Sequence, residues 1–127
     1  KMLNEHDPFN AYKQTSINAR AAAANPHEMV RMLLDGLLEE IERTAGFMQR
    51  KSYEDKGQSI NKCLNIVHGL DSMLDLENGG EVATKLNQLY DYCSRQLVMA
   101  SIENNTNALV PITKVITDVR SGWSNLN

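Results

Sequence analysis

Apolar residues recur at spacings of three and four along four separate stretches of this chain, the period of α-helices that bury one face. Val30, Leu34, Leu37, Ile41, Ala45 and Met48 form the first stripe. Ile60, Leu64, Val67, Asp71 and Leu74 form the second, where the charge of Asp71 is tolerable near an edge. Val82, Leu86, Leu89, Cys93, Leu97 and Ala100 make the third, and Leu109, Ile112, Ile116, Val119 and Trp123 the fourth. No stretch alternates with period two, so strands are not expected. Four amphipathic helices with short connections bury their stripes against one another as an antiparallel four-helix bundle, an all-α fold.

Punctuating residues place the helix ends. Asn25-Pro26-His27-Glu28 reads as a start, with Asn25 as N-cap, Pro26 in the first helical position and Glu28 placed to complete a capping box. That helix is expected to reach about Arg50, where Arg50 and Lys51 suit the negative end of its dipole. Ser52, with Asp55 three residues on, starts a second helix ending near Leu74. Asn78-Gly79-Gly80 breaks the chain before a third helix over about 81–103. The polar run 104–107 then leads to a fourth over 109–123, which Pro111 permits only from within its first turn. Residues 11–24 suit a short, weaker cap helix behind a loose segment at 5–9. The chain thus divides into a flexible N-terminal segment and cap helix over 1–24 and a bundle over 25–127, one domain overall.

At 127 residues there is material for one core and not for two. Thirteen Lys and Arg against sixteen Asp and Glu leave a formal charge of −3, without the basic stripe of a nucleic-acid or anionic-membrane binder. No apolar run approaches the ~20 residues of a membrane span, and 21–24 is too short for a secretory signal. Lys1 ahead of Met2 reads as a residue added before the native start. Two cysteines, Cys63 and Cys93, cannot build a disulfide framework, so a cytoplasmic setting with buried, inert thiols is expected.

Catalysis finds little footing. His6, His27 and His68 lack the Glu three residues earlier that a di-iron bundle uses, and His27 and His68 are expected at the surface. Glu39, Glu40 and Glu42 read as a solvated helix face. Phosphate loop, nucleophile elbow and zinc spacing are all missing, so neither an enzyme nor a cofactor or metal is expected.

Partner binding has more to build on, because apolar residues remain beside the stripes. Met29, Met32 and Leu33 flank the first, with Gly36 among them. Ile66 and Met73 flank the second around Gly69, and Tyr92, Met99 and Ile102 the third. Four of the six methionines fall in these flanks, and methionine is an adaptable side chain over-used where amphipathic helices dock. Two readings stay open. One is ordinary packing against neighbouring helices, with the cap covering one groove permanently; the other is a set of grooves for a partner.

Ala11-Tyr12-Lys13-Gln14, Asn25-Pro26-His27-Glu28, Met32-Leu33-Leu34-Asp35-Gly36, Gly79-Gly80-Glu81-Val82-Ala83 and Leu89-Tyr90-Asp91-Tyr92 occur in this order. With Arg95, Leu97, Ala100 and Trp123 they closely resemble the flagellar secretion chaperone family, FliS, over about 9–123. The resemblance implies an antiparallel bundle with a short N-terminal cap. It implies cytoplasmic binding of the disordered C-terminal segment of flagellin, which is kept from polymerising early and presented to the export gate of the flagellar type III secretion system. The family's client runs along the outside of the bundle and competes in part with the cap. The client-contact set expected here is Met29, Met32, Leu33, Gly36, Ile66, Gly69, Met73, Tyr90, Tyr92 and Met99. Gate docking carries over to Tyr12, with Phe9 at the nearby apolar position. Without client the protein is expected as a monomer or weak homodimer. The alternative is a structural or self-associating bundle, or an adaptor, without a secreted client.

Overall fold

The computed structural model describes residues 25–125. The expected cap helix, Phe9 and Tyr12 lie outside the described residues. Among the described residues four helices form where the apolar stripes run: α1 (Pro26–Gln49), α2 (Tyr53–Ser72), α3 (Gly80–Glu103) and α4 (Leu109–Asn125), with one 3-10 turn at Thr106–Ala108. Both α1 and α3 pack on α2 and on α4, which closes the helices into a ring. Side-chain bonds fix their directions. His27 in the first turn of α1 meets Trp123 near the end of α4, and Lys56 at the start of α2 meets Ser101 at the end of α3, so these neighbours are antiparallel.

Local chemistry sets the ends. Asn25 is extended (φ −131°), and its Oδ1 accepts the backbone N–H of His27 at 3.1 Å and of Glu28 at 3.4 Å. The Glu28 carboxylate turns to Arg31, which donates at 2.7 Å, and that bond holds Glu28 below the usual carboxylate range. Ser52 does not cap α2 with its side chain, contrary to expectation. The turn before it is tight, with Lys51 left-handed (φ 59°) and the Ser52 N–H bonded to the Phe47 carbonyl at 2.9 Å. Ahead of α3, a β-carbon on Gly79 would sit 2.5 Å from the Asp75 carbonyl oxygen, and Gly80 has φ +65°, so both glycines are required. Asn104 adopts φ 50° to end α3, and Pro111 lies in the first turn of α4.

The core runs the length of the bundle, and its largest fully buried side chains include Leu33, Leu34, Leu37, Met48, Leu70, Leu97, Ile112 and Ile116. The first and fourth stripes are buried much as the pattern predicts. The third is displaced by one residue at its start. Val82 is 60% exposed while Ala83 and Tyr90 face inward, giving a stripe of Ala83, Tyr90, Cys93, Leu97 and Ala100 at spacings of seven, three, four and three. Both cysteines are buried and free. Burial pushes the Cys63 thiol up to about 12 and the Cys93 thiol up to about 11.

Glu40 corrects the reading of a solvated acidic face. It is 7% exposed, and Ser59 Oγ donates to its Oε2 at 2.6 Å. Thr44 Oγ1 lies 2.6 Å from Ser59 Oγ and donates to the Glu40 carbonyl at 2.9 Å, which leaves a satisfied polar cluster between α1 and α2. Arg43 and Lys62 stand at its rim, 3.5 and 3.9 Å from the carboxylate.

Candidate partner-binding surface

Six of the ten expected client contacts are core residues. Met29, Leu33, Ile66 and Tyr90 are at most 5% exposed, and Gly36 and Gly69 are buried. The reason is geometric: each helix touches two neighbours, so its inward arc is wider than one stripe and takes in the flanking positions. Burial and then the Asp71 charge push the Tyr90 hydroxyl up to about 12. The other four remain within reach of a partner. Met32, Met73 and Tyr92 are half-buried and Met99 is 50% exposed.

Two apolar surfaces are open. The first is a trough of about 600 Å³ between the C-terminal half of α1 and the N-terminal half of α4. Leu38, Ile41 and Ala45 line it from α1, and Leu109, Val110, Thr113 and Thr117 from α4. Among the described residues, its only charged lining residues are Glu42 on the α1 wall and Lys114 on the α4 wall. The second is the outer face of α3, where Val98, Met99 and Ile102 lie within one turn and all are exposed, Ile102 by 75%. Val98, Leu38 and Val110 escape a reading by stripes. Leu38 and Val110 each follow a core leucine, and a step of about 100° carries them to the outer wall of the helix rather than into the core.

The other end of the α1–α4 seam is closed by polar bonds. Trp123 Nε1 donates to the His27 carbonyl at 2.9 Å, and His27 Nε2 donates to the Trp123 carbonyl at 3.1 Å. The two rings stack with centroids 5.0 Å apart. Arg120 adds a two-pronged bond to Asp35, at 2.7 and 3.3 Å. His27 is thus a half-buried bonding partner rather than a free surface residue, whereas His68 is exposed as expected. A small polar notch of about 220 Å³ lies between α2 and α3, where Asn87 donates to Asp71 at 2.8 Å.

Together these features describe a clasped helical bundle with open apolar walls. The model of the family described as flagellar protein FliS matches residues 8–127. The chain belongs to the FliS family. It is 38% identical over 116 residues to the flagellar secretion chaperone FliSB of Pseudomonas aeruginosa, covering 91% of this chain and 92% of that protein. With the flagellar secretion chaperone FliS of Salmonella typhimurium it shares 33% identity over 118 residues, 92% of this chain and 87% of that one. The FliS of Vibrio cholerae is 34% identical over 116 residues, covering 91% and 85%. FliS membership makes the chain a chaperone of flagellar protein export, and a chaperone has a client. Among the described residues no helix is long and apolar enough to cross a membrane.

Proposed function

We propose that this FliS-family chain is a non-enzymatic cytoplasmic export chaperone that binds the disordered C-terminal segment of flagellin. The α1–α4 trough is its principal seat, and the outer face of α3 extends the path. The observation that carries the reading is the trough itself, an open apolar channel on a chain whose relatives are named flagellar secretion chaperones. A client segment that forms an amphipathic helix lays its apolar side into such a groove and withdraws it from self-association. Four anchoring side chains at about 1.5–3 kcal/mol each supply roughly 6–12 kcal/mol gross. Ordering the client offsets about 2–5 kcal/mol of that, which leaves micromolar to nanomolar affinity within reach. No nucleotide is needed, because release falls to the export machinery. Phe9 and Tyr12 dock the loaded chaperone at the export gate in this scheme, and client entry displaces the N-terminal segment from part of its path.

Isothermal titration with a synthetic flagellin C-terminal segment, followed by circular dichroism, tests the reading. Saturable one-to-one binding with a gain in helicity supports it, and Val110→Asp is expected to weaken that binding at least tenfold with native helicity retained. Absence of heat and spectral change at tens of micromolar would refute it. A second reading, self-association, draws on the exposed Val98, Met99 and Ile102. Light scattering separates the two, since a client reader is largely monomeric alone and a self-associating bundle is not.

A further inference from the structure

We propose that Glu42 and Lys114 fix the direction in which a helical client segment lies in the α1–α4 trough. The proposal rests on reading that trough as the client seat, and it names the chemistry of the occupant: an amphipathic helix with a basic flank and an acidic flank. Among the described residues the trough lining is apolar or hydroxyl-bearing except for these two, which stand on opposite walls and carry opposite charge. A helix seated with its apolar stripe on Leu38, Ala45 and Val110 raises one flank beside each wall. Its basic flank belongs against Glu42 and its acidic flank against Lys114. A helix is chiral, so turning it end for end exchanges the flanks and sets like charges together. Direction is thereby coupled to charge.

Both residues are available for the task. Among the described residues Lys114 pairs only with Asp118, at 3.5 Å, in an i,i+4 contact whose side chains are 75% and 69% exposed, and such pairs exchange readily. Glu42 is exposed and has no ion-pair partner among the described residues. Apolar walls alone accept an amphipathic helix in either direction. The two charges break that equivalence, mainly through specificity and association rate.

The test uses the sequence's one tryptophan, Trp123, at the clasped end of the same seam. The probe is a tryptophan-free synthetic 20-residue peptide with a Leu/Ala stripe, Lys along one flank and Glu along the other, about 30 Å long as a helix. A dansyl acceptor is placed on its N-terminus or, in a second version, on its C-terminus. Only one version is expected to quench Trp123 strongly. Glu42→Lys or Lys114→Glu alone should weaken binding about threefold to tenfold. The double reversal should restore affinity while exchanging which labelled end quenches, because the peptide has turned around. Equal quenching by both versions, or a double reversal that leaves the pattern unchanged, would overturn the proposal while binding itself persists. Binding that also survives Val110→Asp would remove the trough as the seat and the proposal with it.

Discussion

At the scale of single residues, the fold makes specific demands on groups that a stripe of apolar positions does not reveal. Cys63 and Cys93 are legible in the sequence because they fall on or beside helical seams, and the structure buries both. Neither thiol should react with a disulfide reagent at pH 8 until the protein unfolds, when two equivalents should appear at once. The raised thiol values also set an alkaline limit. From the ordinary 9.0 to about 12 the unfolded chain has shed a Cys63 proton that the folded chain keeps, so stability falls as pH rises through that window. Below pH 9 both states hold the proton and the slope vanishes. Denaturant midpoints compared at pH 8 and about pH 10.5 should show the fall, and Cys63→Ala should reduce it. Glu40, Thr44 and Ser59 are not legible in the same way. Each is polar, and only a partner on the opposite helix makes a buried position tolerable for it. Ser59→Ala removes the donor that meets the Glu40 carboxylate at 2.6 Å and should cost about 1–3 kcal/mol in urea denaturation. Glu40→Leu combined with Ser59→Ala should cost less than the single change, because no unpaired carboxylate is left behind.

At the scale of elements, the period and the punctuation carry nearly all of the helix assignment. Asn25-Pro26 starts α1 and Gly79-Gly80 separates α2 from α3, because those backbone positions accept few other residue types. The width of a buried face is a different matter, since it depends on how many neighbours a helix has. One sequence does not state that number, and for that reason Met29, Leu33 and Ile66 read as flanks when they are core. The His27–Trp123 clasp is likewise unreadable from spacing, since its members stand 96 residues apart. It ties the first turn of α1 to the last turns of α4 through two hydrogen bonds and a stack. Trp123→Ala should destabilise the protein by about 2–3 kcal/mol, and Trp123→Phe, which retains the stack, by about 1 kcal/mol. Hydrogen exchange should locate the loss. Amides of the last two turns of α4 and the first turn of α1 should open first, while those of the α1–α2 hairpin keep their protection.

At the scale of the whole molecule, closing four helices into a ring uses up the inward faces and leaves the apolar residues that the core does not need. Those residues mark the candidate site, and they are distributed unevenly. Val98, Met99 and Ile102 are exposed together on α3, a helix already packed on α2 and α4, so their exposure does not reflect an unfilled core. Polar replacement there should therefore separate stability from binding. Met99→Glu with Ile102→Glu should shift stability by no more than about 0.5 kcal/mol, as exposed sites do, and leave the circular dichroism spectrum unchanged. If the α3 face extends the client path, the same double variant should bind the flagellin C-terminal segment about tenfold more weakly in titration calorimetry, through the loss of two apolar anchors. If the face instead joins two copies, the variant should shift light scattering toward monomer with the client affinity intact. A large loss of stability would show that the face is covered by another part of the fold. The three results are mutually exclusive, and one double substitution read by three methods distinguishes among them.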